Sequence, residues 1–573
     1  VLYLNTLKGE VKMRKNRGLA MVLMLAVISS TVMGCGKKAG TDMSASGTTT
    51  ESTVAMSTGS ADSNSAAEDW SEFKTADGKT VIRVGIEADP GTMDPYTTGS
   101  SNGKNATIKS TLYQALGMIQ GVGGELAPEI AKSWEKVGDA TWNIELFDYV
   151  RDWNGNNITA NDVVFSYEKA IANNNNNTKY IESIKATGDY SVELTLNSTA
   201  KTLFERIMQS VYIVSQKEYE ASPDNMATNP VLTGPYKLVD WVSGSSMVIE
   251  KNEDYWQTPE EAAKDINQRA NVDRIEFSVI KEASQMAIAL ETGIIDMVYN
   301  LDATEAARFM EGGESAEGFN VFTTVNNLTQ TMFLNVDTNS PFHDNLALRQ
   351  AVLYAFDSQG MVDGASNGYG VLCKTFGSNE LPDFQEEWNN EDYYEYNPEK
   401  AKELLKEAGY ADGELSLRIV TNNSPMRNKI AQILQAYLLQ VGINSEILPY
   451  EDTLFNTYKN DSTQWDILLD NCGTSDELIG MWRGKMDATN FTNGTANFAH
   501  DDELQRLVVL AVDTSTNSPE TINDLHQYMK DNAYVYGIYN NLAFTVCRNV
   551  VTDIGMNSTP WLLPSASSYV WNK

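Results

Sequence analysis

Histidine and cysteine are scarce in this chain, with three His and four Cys among 573 residues. His343, His500 and His526 lie far apart in sequence and in no metal-ligand spacing, so no metal site and no histidine acid–base centre is legible. Carboxylates are abundant, but nothing singles out a pair for glycosidase-type chemistry. Beyond Cys35 the cysteines are Cys373, Cys472 and Cys547, an odd number that leaves at least one unpaired unless it bridges to another chain. They are expected to be buried free thiols. Positive charge is also short: 43 Lys and Arg against 77 Asp and Glu give −34, which argues against a nucleic-acid partner and suits a solvated acidic surface. No GxxxxGK[ST] phosphate loop occurs, and only one apolar run, Leu19 to Met33, is long.

That run explains the N-terminus. Lys12, Arg14, Lys15 and Arg17 precede it as the basic arm of a signal peptide, with translation expected to start at Met13. It ends in Val32-Met33-Gly34-Cys35, which resembles a bacterial lipobox and implies lipidation of Cys35 with removal of residues 1–34. Removal takes away five positive charges and one negative, leaving −38. Residues 35–69 carry the lipidated Cys and a Ser, Thr, Ala and Gly-rich stretch without periodicity, which reads as a flexible tether.

The globular part is organised around Leu126 to Ala170. Trp142, Ile144 and Leu146 alternate with polar residues as a half-buried strand does, and Asn154-Gly155 marks a turn. Thr159 and Asp162 form a capping box opening a helix through Val163, Val164, Tyr167 and Ala170. Leu126, Pro128, Ile130, Ala131, Ser133, Trp134 and Glu135, followed by Thr159, Ala160, Asp162, Val163, Val164 and Ser166, resemble the signature of extracellular solute-binding proteins of the peptide/nickel class (family 5). Phe147-Asp148-Tyr149 departs from that pattern.

Further motifs follow in the family's order: Asp89-Pro90-Gly91-Thr92-Met93-Asp94-Pro95; Gly234-Pro235-Tyr236 through Asn252, Tyr255 and Trp256; Gly293-Ile294-Ile295-Asp296; and Asn335 through Pro341, Asp344, Arg349, Ala355 and Asp357. Asn397-Pro398 is expected to open a helix that Gly409 ends, and 427–440 is expected to form another.

The resemblance implies an α/β, two-lobed periplasmic-binding-protein-like fold of the three-domain, peptide-binding type. Lobe I would comprise 70–110, 223–325 and 533–573, with a small domain inserted at 111–222. Lobe II would be 326–532, with hinges near Val325 and Asn532. It implies the peptide-capturing component of an ABC importer, without catalytic residues, metal or other cofactor. Partners would be a peptide or other small solute, a permease with its ATPase, and the membrane through the lipid. The protein would be a monomer on the extracytoplasmic face. An oligosaccharide ligand, a peptide-sensing receptor role and a secreted hydrolase are the alternatives. Asp476 is the candidate partner of a peptide amino group, with Asn471, Cys472, Gly473, Thr474 and Ser475 lining the cleft and Gly91, Thr92 and Met93 contributing from the first loop. No basic residue clearly matches the one that some dipeptide-binding members use for a ligand carboxylate; Arg427 and Arg483 are read as surface residues, with that role as the alternative.

Overall fold

The computed structural model describes residues 73–571 apart from 98–105, 121–124, 175, 201–202, 474–476, 489–499 and 557–563. Cys35, the leader and the tether therefore lie outside the described residues, as do Thr474, Ser475 and Asp476. Among the described residues no helix is long and apolar enough to cross a membrane.

In chain order, β1 (Val81–Ile86) and α1 (Ala106–Leu112) lead into a four-stranded antiparallel sheet. That sheet contains β2 (Ala131–Lys136), β3 (Thr141–Leu146), β4 (Ile181–Gly188) and β5 (Ser191–Leu196), and α2 (Ala160–Ala172) lies between β3 and β4 in the chain. The expected capping box of α2 is present: Thr159 and Asp162 satisfy each other's backbone N–H groups. The Asn154-Gly155 turn is tied by Asp152, which accepts from the N–H groups of Asn154 and Asn156.

The chain then builds β6 (Tyr236–Val242), β7 (Ser246–Lys251), β8 (Arg274–Val279), α3 (Ala283–Glu291) and β9 (Met297–Leu301). A long strand, β10 (Phe319–Leu334), leaves this region and enters the next. There α4 (Leu346–Tyr354), α5 (Pro398–Glu407), β11 (Ser416–Asn422), α6 (Pro425–Gln440), β12 (Asn444–Tyr450), α7 (Asp452–Tyr458), β13 (Ile467–Cys472), α8 (Leu478–Met486), α9 (Asp502–Val512) and α10 (Pro519–Asp531) follow. A second long strand, β14 (Val535–Arg548), runs back. Asn397 caps α5 by accepting from the Lys400 N–H, with Pro398 in the first turn and Gly409 at φ +94° beyond its end.

One sheet runs through the molecule in the order β12-β11-β13-β10-β14-β9-β1-β8-β7-β6. β10 and β14 are antiparallel along nearly their whole length, with a break in register between Val325 and Thr329. On one side of the break they carry β9 and on the other β13. The apolar residues gather into four clusters, of which one fills the β2–β5 region and the nearby helices, and two flank the β11–β13 sheet.

Several motif residues have structural work of a specific kind. A Cβ at Gly234 would stand 2.3 Å from the Leu112 carbonyl oxygen, so only glycine fits there. Arg349, 6% exposed, donates to the carbonyls of Asn532 and Phe342 and pins the end of α10. Asp296, just before β9, takes a bidentate pair from Arg83, and Asp466, just before β13, takes the same pair from Arg418.

Candidate functional site

Strand direction singles out a candidate site. β9 and β1 run parallel, and β9 ends at Leu301 opposite Phe544, near the middle of β14. β13 and β11 are parallel to each other, and β13 ends at Cys472 opposite Thr329, near the middle of β10. The carboxyl ends of parallel strands from both sides thus converge on the middle of the shared pair, where open α/β sheets bind ligands. Buried polar side chains collect there. Cys373 donates to Asn540 Oδ1 at 2.9 Å, and Asn540 donates to Thr329 Oγ1 at 3.0 Å. The Gln330 and Asn541 side-chain oxygens and the Tyr539 hydroxyl are buried without a hydrogen bond from any described residue.

Beside this floor lies a knot of charge. Asp470 on β13 has a side chain 7% exposed, and three cations surround it: Arg427 Nη1 at 3.4 Å, Lys459 Nζ at 3.5 Å and Lys485 Nζ at 4.0 Å. Arg427 comes from the first turn of α6, where Ser424 caps the helix; Lys459 follows α7, and Lys485 is on α8. Phe455 supports two of them, with its ring 5.8 Å from the Arg427 guanidinium and 5.3 Å from the Lys459 ammonium. Burial alone would push the Asp470 carboxyl up, but the charges of Lys485, Lys459 and Arg427 outweigh it and hold it below the ordinary carboxylate range. Burial pushes the neighbouring Cys472 thiol up, against the pull of Lys485.

After Gly473 the chain re-enters the described residues at Glu477 and begins α8. Asp383, from a loop almost a hundred residues earlier, accepts from the N–H groups of Leu478 at 2.7 Å and Ile479 at 2.9 Å. It caps the helix from a distance, and burial raises its carboxyl to about 6.

The β2–β5 region and its flanking segments contact α8 and the residues after α9. Arg483 on α8 sits 4.6 Å from the Tyr180 ring centre. Thr199 donates to Asp513 Oδ2 at 2.7 Å, Thr514 N–H donates to the Thr199 carbonyl at 3.2 Å, and Ala200 pairs with Asp513 as an isolated antiparallel bridge. These contacts join segments more than 300 residues apart.

A model of bacterial extracellular solute-binding proteins, family 5, matches residues 125–481, well over half of the chain. The chain belongs to that family. It is 24% identical over 423 residues to heme-binding protein A of Haemophilus influenzae, covering 66% of this chain and 72% of that one. It is 25% identical over 413 residues to di/tripeptide-binding protein 3 of Pseudomonas aeruginosa, covering 64% and 71%. The crystal structure of the ABC transporter substrate-binding protein CtaP from Listeria monocytogenes shares the fold, with a TM-score of 0.71 at 21% identity, over 86% of this chain and all of that one. The two-lobed α/β architecture is that of the family.

In this solute-binding protein the residues singled out from sequence fall into three groups. Asn471, Cys472 and Gly473 stand at the end of β13, with Asn471 half-buried and the Cys472 side chain buried. Thr474, Ser475 and Asp476 lie outside the described residues. Gly91 and Thr92 stand beyond the end of β1, Gly91 exposed at φ +70° and Thr92 accepting from the Asp94 N–H. Met93 is fully buried, its N–H bonded to the Ala227 carbonyl and its own carbonyl to the Tyr113 hydroxyl, so its side chain belongs to the core. Asp89 of the same loop ties down the β6–β7 turn, accepting from Trp241 Nε1 and the Gly244 N–H.

Arg427 is buried rather than a surface residue. Asp470, Lys459 and Lys485 were not legible as site residues, since only the fold gathers them; the one available signal was a charged residue at the end of the apolar run Ile467-Leu468-Leu469. His343 and His500, distant in sequence, stack edge-on with ring centres 5.8 Å apart. His343 Nδ1 lies 2.9 Å from the Val336 carbonyl. The three downstream cysteines are free and buried.

Proposed function

We propose that this chain captures short peptides outside the cell and hands them to an ABC permease, held at the membrane by lipid on Cys35. The observation that carries this reading is the buried Arg427–Lys459–Lys485–Asp470 cluster, set where the parallel strands of both lobes end. A fixed set of cations in a nearly dry setting suits the carboxylate end of a peptide. Free polar groups on Gln330 and Asn541 suit its main chain. Asp476, a few residues beyond, meets the amino group in this reading, with Thr474 and Ser475 beside it.

The lobes divide as the family resemblance implies, and flex where β10 and β14 lose register. Ligand contacts from both sides then stabilise the closed form that the permease recognises. The chain works as a binding protein without catalysis, as a monomer on the extracytoplasmic face.

A thermal-shift screen of the mature chain with di- to pentapeptides, oligosaccharides and nickel chelates tests the reading. A ligand at a hundred times its Kd adds about 2.7 kcal/mol of stability. Peptides should raise the melting temperature, and N-acetylation or Asp476→Asn should remove the effect. A response to sugars alone would keep the solute-binding role and overturn the peptide.

A further inference from the structure

Among the described residues, the charges of Arg427, Lys459 and Asp470 do not balance. Arg427 and Lys459, both within 3.5 Å of Asp470, carry two positive charges against its one negative. The pairs are also loose. No side-chain N–H of Arg427 or Lys459 makes a hydrogen bond to any described residue, and Arg427 Nη1 is buried without one. Their side chains are only 10% and 19% exposed, so bulk water screens them poorly. In a protein of net charge −34 this concentration of positive charge is local and specific. A single carboxylate would answer only part of it.

We propose that the ligand presents two adjacent negative charges to Arg427 and Lys459, as a peptide ending in Asp or Glu does. This rests on the peptide reading above and narrows its substrate class. The backbone carboxylate takes the Arg427 fork, whose planar donors suit a bidentate partner, and the second anion takes the Lys459 ammonium. Asp470 offsets part of the repulsion between the two cations when the site is empty.

Calorimetric titration of the mature chain with Ala-Ala-Glu, its near-isostere Ala-Ala-Gln, and Ala-Ala-phosphoserine tests this. Ala-Ala-Glu should bind about tenfold more tightly than Ala-Ala-Gln, the ratio that ~1.4 kcal/mol of extra ion pairing produces. In Lys459→Met that ratio should fall towards one, and in Lys459→Arg it should persist. A cooperative melting transition and an unaltered far-ultraviolet circular dichroism spectrum in Lys459→Met show that the variant is folded, whatever its melting temperature. Preference for the phosphoserine peptide over Ala-Ala-Glu would assign a phosphate as the source of the paired charge. Equal binding of the Glu and Gln peptides overturns the inference and leaves the peptide reading standing. Absence of binding by all three overturns both.

Discussion

Replacing Asp470 with Asn is the most informative single change in the protein. It keeps the side chain's shape and removes the only carboxylate within 4.0 Å of the three cations among the described residues. At an effective dielectric near 20, each pair at such a distance is worth about 4 kcal/mol before desolvation is charged against it. Breaking a buried ion pair by removing one partner costs about 3–5 kcal/mol net, because the other charge stays buried and uncompensated. Here two or three cations would also repel one another. The expected loss is therefore about 3–5 kcal/mol in the β11–β13 part of the molecule, roughly 6–20 °C in its melting temperature. Urea denaturation followed by tryptophan fluorescence reads this directly, since Trp465 and Trp482 are buried in that region. Added sulfate should restore part of the loss by occupying the vacated position. A loss below about 1 kcal/mol would show that the cations are solvated and would refute the buried-cluster argument. The pH sign is also fixed. The Asp470 carboxyl is held below its ordinary value, so the stability it contributes is present above about pH 4 and is lost as pH falls further.

Three other outcomes follow from the same physics. His526, stacked 4.0 Å over Trp388 and 1% exposed, is pushed down to about 4 by burial, against the pull of Glu391. Its contribution is full above about pH 6.5 and falls by about 3 kcal/mol as pH drops towards 4; His526→Gln should flatten that stretch of a stability-versus-pH curve, and an unchanged slope would contradict it. Glu129 and Asp265, both fully buried, are raised by burial, Glu129 further by the Asp265 charge and Asp265 against the pull of its hydrogen bonds, so their contribution is full at acid pH and lost as pH rises. Glu129→Gln should make the protein about 1 kcal/mol or more stabler at pH 8, and a loss of stability there would count against a shared proton. Thr199→Val, which removes the bond to Asp513 across the two regions, should shift about 1 kcal/mol, near fivefold, towards an open form; X-ray scattering that finds the ligand-free radius of gyration unchanged would deny the contact that role.

The local grammar of this chain is easily read. Thr159 with Asp162, Asn397 with Pro398, and Asn154-Gly155 declare their caps and turns within a few residues, and the structure uses them that way. The family motifs are likewise local strings, and Gly234, Arg349 and Asp296 hold the scaffold through contacts that allow little substitution. The proposed site is different in kind. Residues 427, 459, 470 and 485 come from four elements, and nothing in their spacing links them. Asp383 reaches the start of α8 from a separate loop. Arg427 read as a candidate surface residue because its helix is amphipathic and its side chain is charged; burial came from the Asp470 and Phe455 contacts, which only the sheet order creates. Met93 looked like a loop residue near the ligand because its motif is a loop, yet tertiary packing draws the side chain inward.

The central claim is that the cluster at the end of β13 holds the carboxylate end of a peptide. Calorimetric titration of the mature chain with a free tripeptide and with its C-terminal amide tests this most directly. The account predicts saturable one-to-one binding of the free peptide, with at least tenfold weaker binding of the amide and a similar loss for Arg427→Met. Equal affinity for the acid and the amide, or unchanged binding in Arg427→Met, would contradict it.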